Sequence, residues 1–153
     1  MIDKRGFSLI ELLITIGLTV SISVISIPLY SNLQSSTKLD ESVAQIVDFL
    51  RSSRELSRAG YRNASHGVYF DPGGNKIVAY QGVSYEIRDP IYDQVLNLEP
   101  GVTVAITIPG NEVNYTAGAG MPDATGQIEL SFEAKKRLIN INQYGIPLDI
   151  STR

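Results

Sequence analysis

Few residues of this sequence are suited to bond-making chemistry. The 153 residues contain one histidine, His66, and no cysteine or tryptophan. The lack of cysteine removes the thiol nucleophile, the thiolate metal site and the disulfide together. His66 has Ser65 beside it but no spacing that completes a catalytic triad, so a strand-edge histidine is the plainer reading. Asp71, Asp89, Asp93 and Asp123 lie near turn residues, where carboxylates supply oxygen ligands to calcium, yet no EF-hand-like spacing supports a site. Gly73-Gly74 and the Gly118 to Gly120 pair lack the strand-to-helix GxGxxG that cradles phosphate. The expectation is a protein that is not an enzyme and needs no metal or cofactor.

Charge offers a second chemistry. Arg51, Arg54, Arg58 and Arg62 are spaced by 3, 4 and 4, which places them within roughly 80° around a helix that lasts that far. Such a stripe can track phosphates, with Lys135, Lys136 and Arg137 as a second contact. It can equally be a solvated face that pairs with Asp48, Glu55 and acidic neighbours. The formal net charge of −3, from 13 basic and 16 acidic residues, favours the second reading, since nucleic-acid binders usually carry a basic surplus.

The sharpest signal lies at the N-terminus. Lys4 and Arg5 precede an apolar run, and between Phe7 and Tyr30 the only charge is Glu11. As a helix this stretch is about 36 Å long, enough to cross a hydrocarbon core of roughly 30 Å. Lys4 and Arg5 would then stay in the cytoplasm and everything after Tyr30 on the far side. A cleaved secretory signal fits less well, because the run exceeds a usual h-region and no Ala-x-Ala-like site closes it. An acid inside a membrane segment costs about 2.5–3.5 kcal/mol or more, so Glu11 is a functional candidate, with snorkelling near the helix start as the plainer alternative.

Gly6-Phe7-Ser8-Leu9-Ile10-Glu11-Leu12 resembles the class III signal of type IV prepilins and type II secretion pseudopilins. The resemblance implies cleavage after Gly6 by a prepilin peptidase, N-methylation of Phe7, and a glutamate at the fifth mature position, Glu11. It also implies a proline at the twenty-second mature position, which is Pro28. In that family Glu11 would pair with the freed amino terminus of a neighbouring subunit and set filament register, a role in which buried ion pairs are well attested. Pro28 removes a backbone donor and should kink or loosen the helix just above the bilayer.

The elements that must position these residues follow from periodicity. Leu39, Val43, Ile46, Val47 and Leu50 mark an amphipathic helix over about 31–59, stopped by Gly60. Beyond it the period changes to two. Residues 67–70 and 76–80 read as a hairpin around Asp71-Pro72-Gly73-Gly74-Asn75, and 85–89 and 102–108 as further strands. Alternation over 128–133 is followed by a turn expected at Lys135-Lys136-Arg137 and a returning strand at 138–142. Residues 109–126, rich in Gly and Pro, should be a loop. The tyrosines at 69, 80, 85, 92, 115 and 144 are expected to pack the sheet rather than stack on bases.

These elements give an α+β fold: a long N-terminal membrane-anchored helix packed by its second half on an antiparallel sheet. The expected divisions are a leader (1–6), a transmembrane and assembly helix (7–30) and an extracytoplasmic domain (31–153) with its sheet over about 65–152. The helix-then-strands order, the arginine-rich helix end and the terminal Asn142-Gln143-Tyr144-Gly145-Ile146-Pro147 segment resemble the GspH/FimT group of minor pilins and pseudopilins. The resemblance implies a structural subunit of a type IV pilus or type II secretion pseudopilus. It would sit as a single pass in the cytoplasmic (inner) membrane and assemble with other pilin or pseudopilin subunits through the prepilin peptidase and the inner-membrane assembly platform. A DNA-uptake minor pilin, or a membrane-anchored module that binds DNA or another ligand, is the alternative.

Overall fold

The computed structural model describes residues 8–73 and 75–150, except for the side chains of 24–32, 149 and 150. The expected leader, with the cleavage position Gly6 and Phe7, lies outside the described residues. One helix, α1 (Leu9–Arg58), opens the fold. Ser8 precedes it as N-cap, and the Ser8 N–H donates to Glu11 Oε2 at 3.1 Å. Ser-x-x-Glu is a capping-box spacing, and this bond is its Glu half. The helix continues through position 28, although the Pro28 side chain is outside the described residues. It ends where Gly60 adopts φ 63°, the left-handed conformation that closes helices and that glycine takes without a Cβ penalty.

The chain divides into two compact units, Met1–Ser35 and Ser36–Arg153. Within the second unit, the α1 stripe of Leu39, Val43, Ile46, Val47 and Leu50 is buried. It meets the inward residues of two four-stranded antiparallel sheets. The first sheet runs β3 (Gln94–Asn97), β2 (Lys76–Gln81), β1 (His66–Asp71), β5 (Glu112–Tyr115). The second runs β4 (Thr103–Ile106), β6 (Gly126–Phe132), β7 (Lys135–Ile141), β8 (Pro147–Ile150). Val68, Phe70, Ile77, Val113 and Tyr115 from the first sheet share one core with Ile128, Leu130, Ile139 and Ile141 from the second. The period-two alternation thus buries one face of each sheet against the helix stripe.

Several expected strands move. Residues 85–89 form no strand; Tyr85 instead leaves the ladder to stack on Tyr69, with ring centroids 3.8 Å apart. Lys135, Lys136 and Arg137 belong to β7, and the turn falls at Glu133-Ala134, with Glu133 at φ 54°. The basic residues tolerate the strand because each finds a partner: Ser36 Oγ for Lys135, Glu129 at 2.7 Å for Lys136 and Asp40 at 2.8 Å for Arg137. Within the expected loop 109–126 lies β5, whose Val113, Asn114 and Tyr115 are buried. Glycine and proline on both sides of this short strand mask its alternation.

Candidate functional site

The first candidate surface is the start of α1. Leu9, Ile10, Leu12, Leu13, Ile14, Ile16, Leu18, Val20 and Ile22 are all exposed, and they cover the helix all round, as in a segment that needs an apolar surrounding. Its hydroxyls turn inward to the backbone: Thr15 Oγ1 donates to Glu11 O and Leu12 O, Thr19 to Thr15 O at 2.6 Å, Ser21 to Gly17 O and Ser23 to Thr19 O, both at 2.8 Å. Such back-bonds satisfy donors without water. Among the described residues no helix is long and apolar enough to cross a membrane. Glu11 is exposed and engaged by the Ser8 N–H, an intrachain role that the Ser-x-x-Glu spacing could have revealed.

The arginines divide. Arg51, Arg54 and Arg58 lie on α1, whereas Arg62 has left it, with φ 56° in a short 3-10 turn. The Arg62 guanidinium stacks 4.0 Å from the Tyr92 ring centroid and 5.4 Å from that of Tyr61. Arg54 turns elsewhere, donating Nε–H to the Tyr144 carbonyl at 3.0 Å and pairing with Glu55 at 3.1 Å. Three of the four therefore share one arc of α1, with Arg54 held by its own neighbours and Arg62 off the helix. Arg137 reaches Asp40, eleven residues and about 16 Å along the helix from Arg51, so the two basic groups are separate surfaces.

His66 sits at the start of β1, where its N–H donates to Ser57 Oγ at 2.8 Å and ties the last turn of α1 to the first sheet. Its ring is buried, and Nδ1 has no hydrogen-bond partner among the described residues. Burial lowers its pKa from the ordinary 6.5, against a smaller opposing effect of the Ala64 backbone. The ring lines a cavity of about 320 Å³ with Phe49, Leu56, Tyr80 and Tyr92. Asp93, the carboxylate on that cavity, is taken up by Arg88 at 2.9 Å. Ser65, the histidine's neighbour, accepts the Ala117 N–H. Nothing in this arrangement poises a nucleophile against a base.

The turn carboxylates are likewise committed. Asp71 accepts the Gly73 N–H, Asp89 the Ile91 N–H and Asp123 the Asn114 N–H. Among the described residues no three of His, Cys, Asp or Glu gather to hold a metal ion.

Sequence reasoning missed the loop 82–93. It folds onto the outer face of the first sheet, where Glu112 accepts both the Tyr80 hydroxyl and the Tyr85 N–H, and Asn114 Nδ2 donates to Tyr80 Oη and the Gly82 carbonyl. Desolvation and the adjacent Glu112 carboxylate push the Tyr80 pKa up, so this phenol stays a donor. The tyrosine spacing was visible in the sequence, but the carboxylate that organises it is remote along the chain.

No family model and no curated protein matches the chain. Solved structures do. The minor pseudopilin EpsH of the type II secretion system of Vibrio cholerae superposes with a TM-score of 0.58 at 10% identity, covering 74% of this chain and 97% of that one. The type IV minor pilin FimU of Pseudomonas aeruginosa superposes with a TM-score of 0.59 at 12% identity, covering 79% and 92%. The chain has the pilin fold: a long N-terminal helix packed on antiparallel sheet.

Proposed function

We propose that this chain is a structural subunit, a minor pilin or minor pseudopilin, of a type IV pilus or a type II secretion pseudopilus. It is made as a prepilin, cut after Gly6 by prepilin peptidase and N-methylated on Phe7. Segment 7–30 anchors it as a single pass in the cytoplasmic (inner) membrane, with the N-terminus cytoplasmic and residues 31–153 outside. Its partners are other pilin or pseudopilin subunits and the inner-membrane assembly platform. The observation that carries this reading is the continuity of α1: one helix, Leu9–Arg58, bears exposed aliphatics at its start and the core stripe of a pilin-like domain at its end. Self-satisfied hydroxyls suit the first stretch to lipid, where an unpaired donor costs several kcal/mol.

Glu11 would serve twice, capping its own helix and meeting the amino terminus of a neighbour. An amine freed at Phe7 needs such a partner in a dry setting. The intact mass of the native protein is the test: a chain beginning at N-methylated Phe7 supports the reading, and one that keeps Met1 or begins near residue 30 overturns it. The DNA-binding alternative draws on Arg51, Arg54 and Arg58, but the bonds of Arg54 to Tyr144 and Glu55 favour a surface for protein contact.

A further inference from the structure

The first sheet has one closed edge and one open edge. On the β5 side both main-chain groups of Asn114 are taken by Asp123: the carboxylate accepts its N–H at 3.0 Å, and its carbonyl accepts the Asp123 N–H at 2.9 Å. Tyr115 adds a bridge to Pro122. The β3 side has no such cover. Leu98 N–H donates to the Asn75 carbonyl at 3.0 Å, and the antiparallel register sets Leu96 opposite Ile77 and Gln94 opposite Ala79. Main-chain bonds fall on every second residue of such a strand, so Gln94 and Leu96 turn theirs to β2 while Val95 and Asn97 turn theirs outward. Among the described residues no backbone group meets those of Val95 and Asn97. The run Gln94-Val95-Leu96-Asn97 also has none of the lysines, prolines or bulges that commonly blunt an edge.

Beside this edge the layer between sheet and helix is not filled. Side chains alternate across a strand, so Gln94 and Leu96 share the face of Ala79 and Ile77, the face that meets the α1 stripe in the core. Next to Gln94 lies the cavity of about 320 Å³ that His66 lines, walled by Phe49, Ser52 and Leu56 of α1 and by Ala79 of β2. Ser52, Ile91 and Gln94 are exposed members of its lining, so it opens to solvent next to β3. A strand bonded to Val95 and Asn97 would carry the side chains opposite Gln94 and Leu96 on this same helix-facing side. The one opposite Gln94 stands at the cavity mouth.

We propose that the β3 edge takes up an extended segment of a different filament subunit as a fifth strand, with one aromatic or large aliphatic side chain of that segment seated in the cavity. Main-chain bonds supply the pairing and the cavity supplies the selectivity, as in strand addition generally. Val95 and Asn97 offer only two donors and two acceptors, so the anchor side chain has to fill the cavity for the contact to hold. A second copy of β3 does not provide that anchor. Antiparallel registers that match Val95 with Val95 or with Asn97 set Leu96 or Leu98 opposite Gln94, and both leucines already pack in their own core. One open edge takes one strand, so the contact joins this chain to one neighbour of another kind and does not repeat. The inference rests on the filament-subunit reading for the identity of that neighbour.

Photo-crosslinking in host membranes tests this on the full-length chain. Asn97→p-benzoylphenylalanine, with Ile91→p-benzoylphenylalanine as a second probe position, should give one adduct with another subunit of the sheared filaments. Mass spectrometry of the linked peptide should place it in a run that alternates apolar and polar residues. Val95→Pro removes an outward donor without breaking a β2–β3 bond, since proline is tolerated on an edge, and should lower the adduct yield about five- to tenfold. Val95→Thr keeps the donor and should leave the yield within about twofold. Ser52→Trp, on the exposed flank of α1, fills the cavity and leaves the edge main chain untouched; it should lower the yield to a similar extent. Val95→Pro and Ser52→Trp alter different elements, so a fold defect in one leaves the other as the test. Adducts only with a second copy or with a protein that filaments lack, no adduct from either probe position, or a yield unchanged by either variant would overturn the proposal. Sheared filaments separate the two readings: the chain in filaments without an adduct refutes the strand addition alone, and its absence from filaments refutes the subunit role.

Discussion

At the scale of single residues, Glu11 and His66 carry consequences that substitution can separate. Glu11 holds the Ser8 N–H, and the proposed register contact asks it for a negative charge as well. Glu11→Gln keeps a capping acceptor and removes the charge, whereas Glu11→Val removes both. Both should leave cleavage and insertion intact and sharply reduce incorporation into filaments, measured by quantifying the subunit in the sheared fraction beside wild type. Normal incorporation of the glutamine variant would confine Glu11 to capping. His66 acts on stability. Burial depresses its folded-state pKa below 6.5, so the folded state resists protonation that the unfolded chain accepts. Its contribution is therefore present above about pH 6.5 and is lost as pH falls through the folded value. Melting temperatures of the fragment from Ser31 onward should drop between pH 7.5 and 5, and His66→Gln should flatten that drop. Equal slopes for the two proteins would remove His66 as its source.

At the scale of elements, the amphipathic helix was legible because its stripe keeps a helical period and its stop is a glycine. Leu39, Val43, Ile46, Val47 and Leu50 are the residues that α1 buries. The β6–β7 hairpin was legible from the same alternation of Ile128, Leu130 and Phe132, although its turn lies just before the basic residues rather than on them. What escaped depends on remote partners. Tyr85 sits in a run that reads as strand, but Tyr69, Glu112 and Arg88 draw it out of any ladder. The candidate surfaces divide the same way: the arginine spacing is local, while the turn that sends Arg62 to Tyr92 is tertiary. Because the second unit has its own core, the fragment from Ser31 should fold alone and melt cooperatively. Leu50→Ala should cost it about 2–5 kcal/mol, since a wholly buried leucine leaves both lost transfer energy and a cavity. Urea denaturation followed by circular dichroism measures this, and a loss below 1 kcal/mol would mean that the helix stripe is not the keystone of the core.

At the scale of the whole molecule, charge decides between partners. Thirteen basic and sixteen acidic residues give −3, a field that repels polyphosphates at long range and leaves only local patches to attract them. The strongest local patch is Arg51 and Arg58, because Arg54 is held by Glu55 and the Tyr144 carbonyl, Arg62 stacks on Tyr92 and the 135–137 cations engage Ser36, Glu129 and Asp40. Two phosphate contacts would give a modest affinity with a salt slope of about −1.8 on duplex DNA. The soluble fragment should accordingly show no submicromolar DNA binding at physiological salt, and Arg51→Gln, Arg54→Gln and Arg58→Gln together should change a gel-shift titration little. Salt-sensitive submicromolar binding that disappears in the triple variant would assign the arginines to DNA capture, whereas weak binding that the variant leaves unchanged assigns them to a solvated face that pairs with carboxylates such as Glu55.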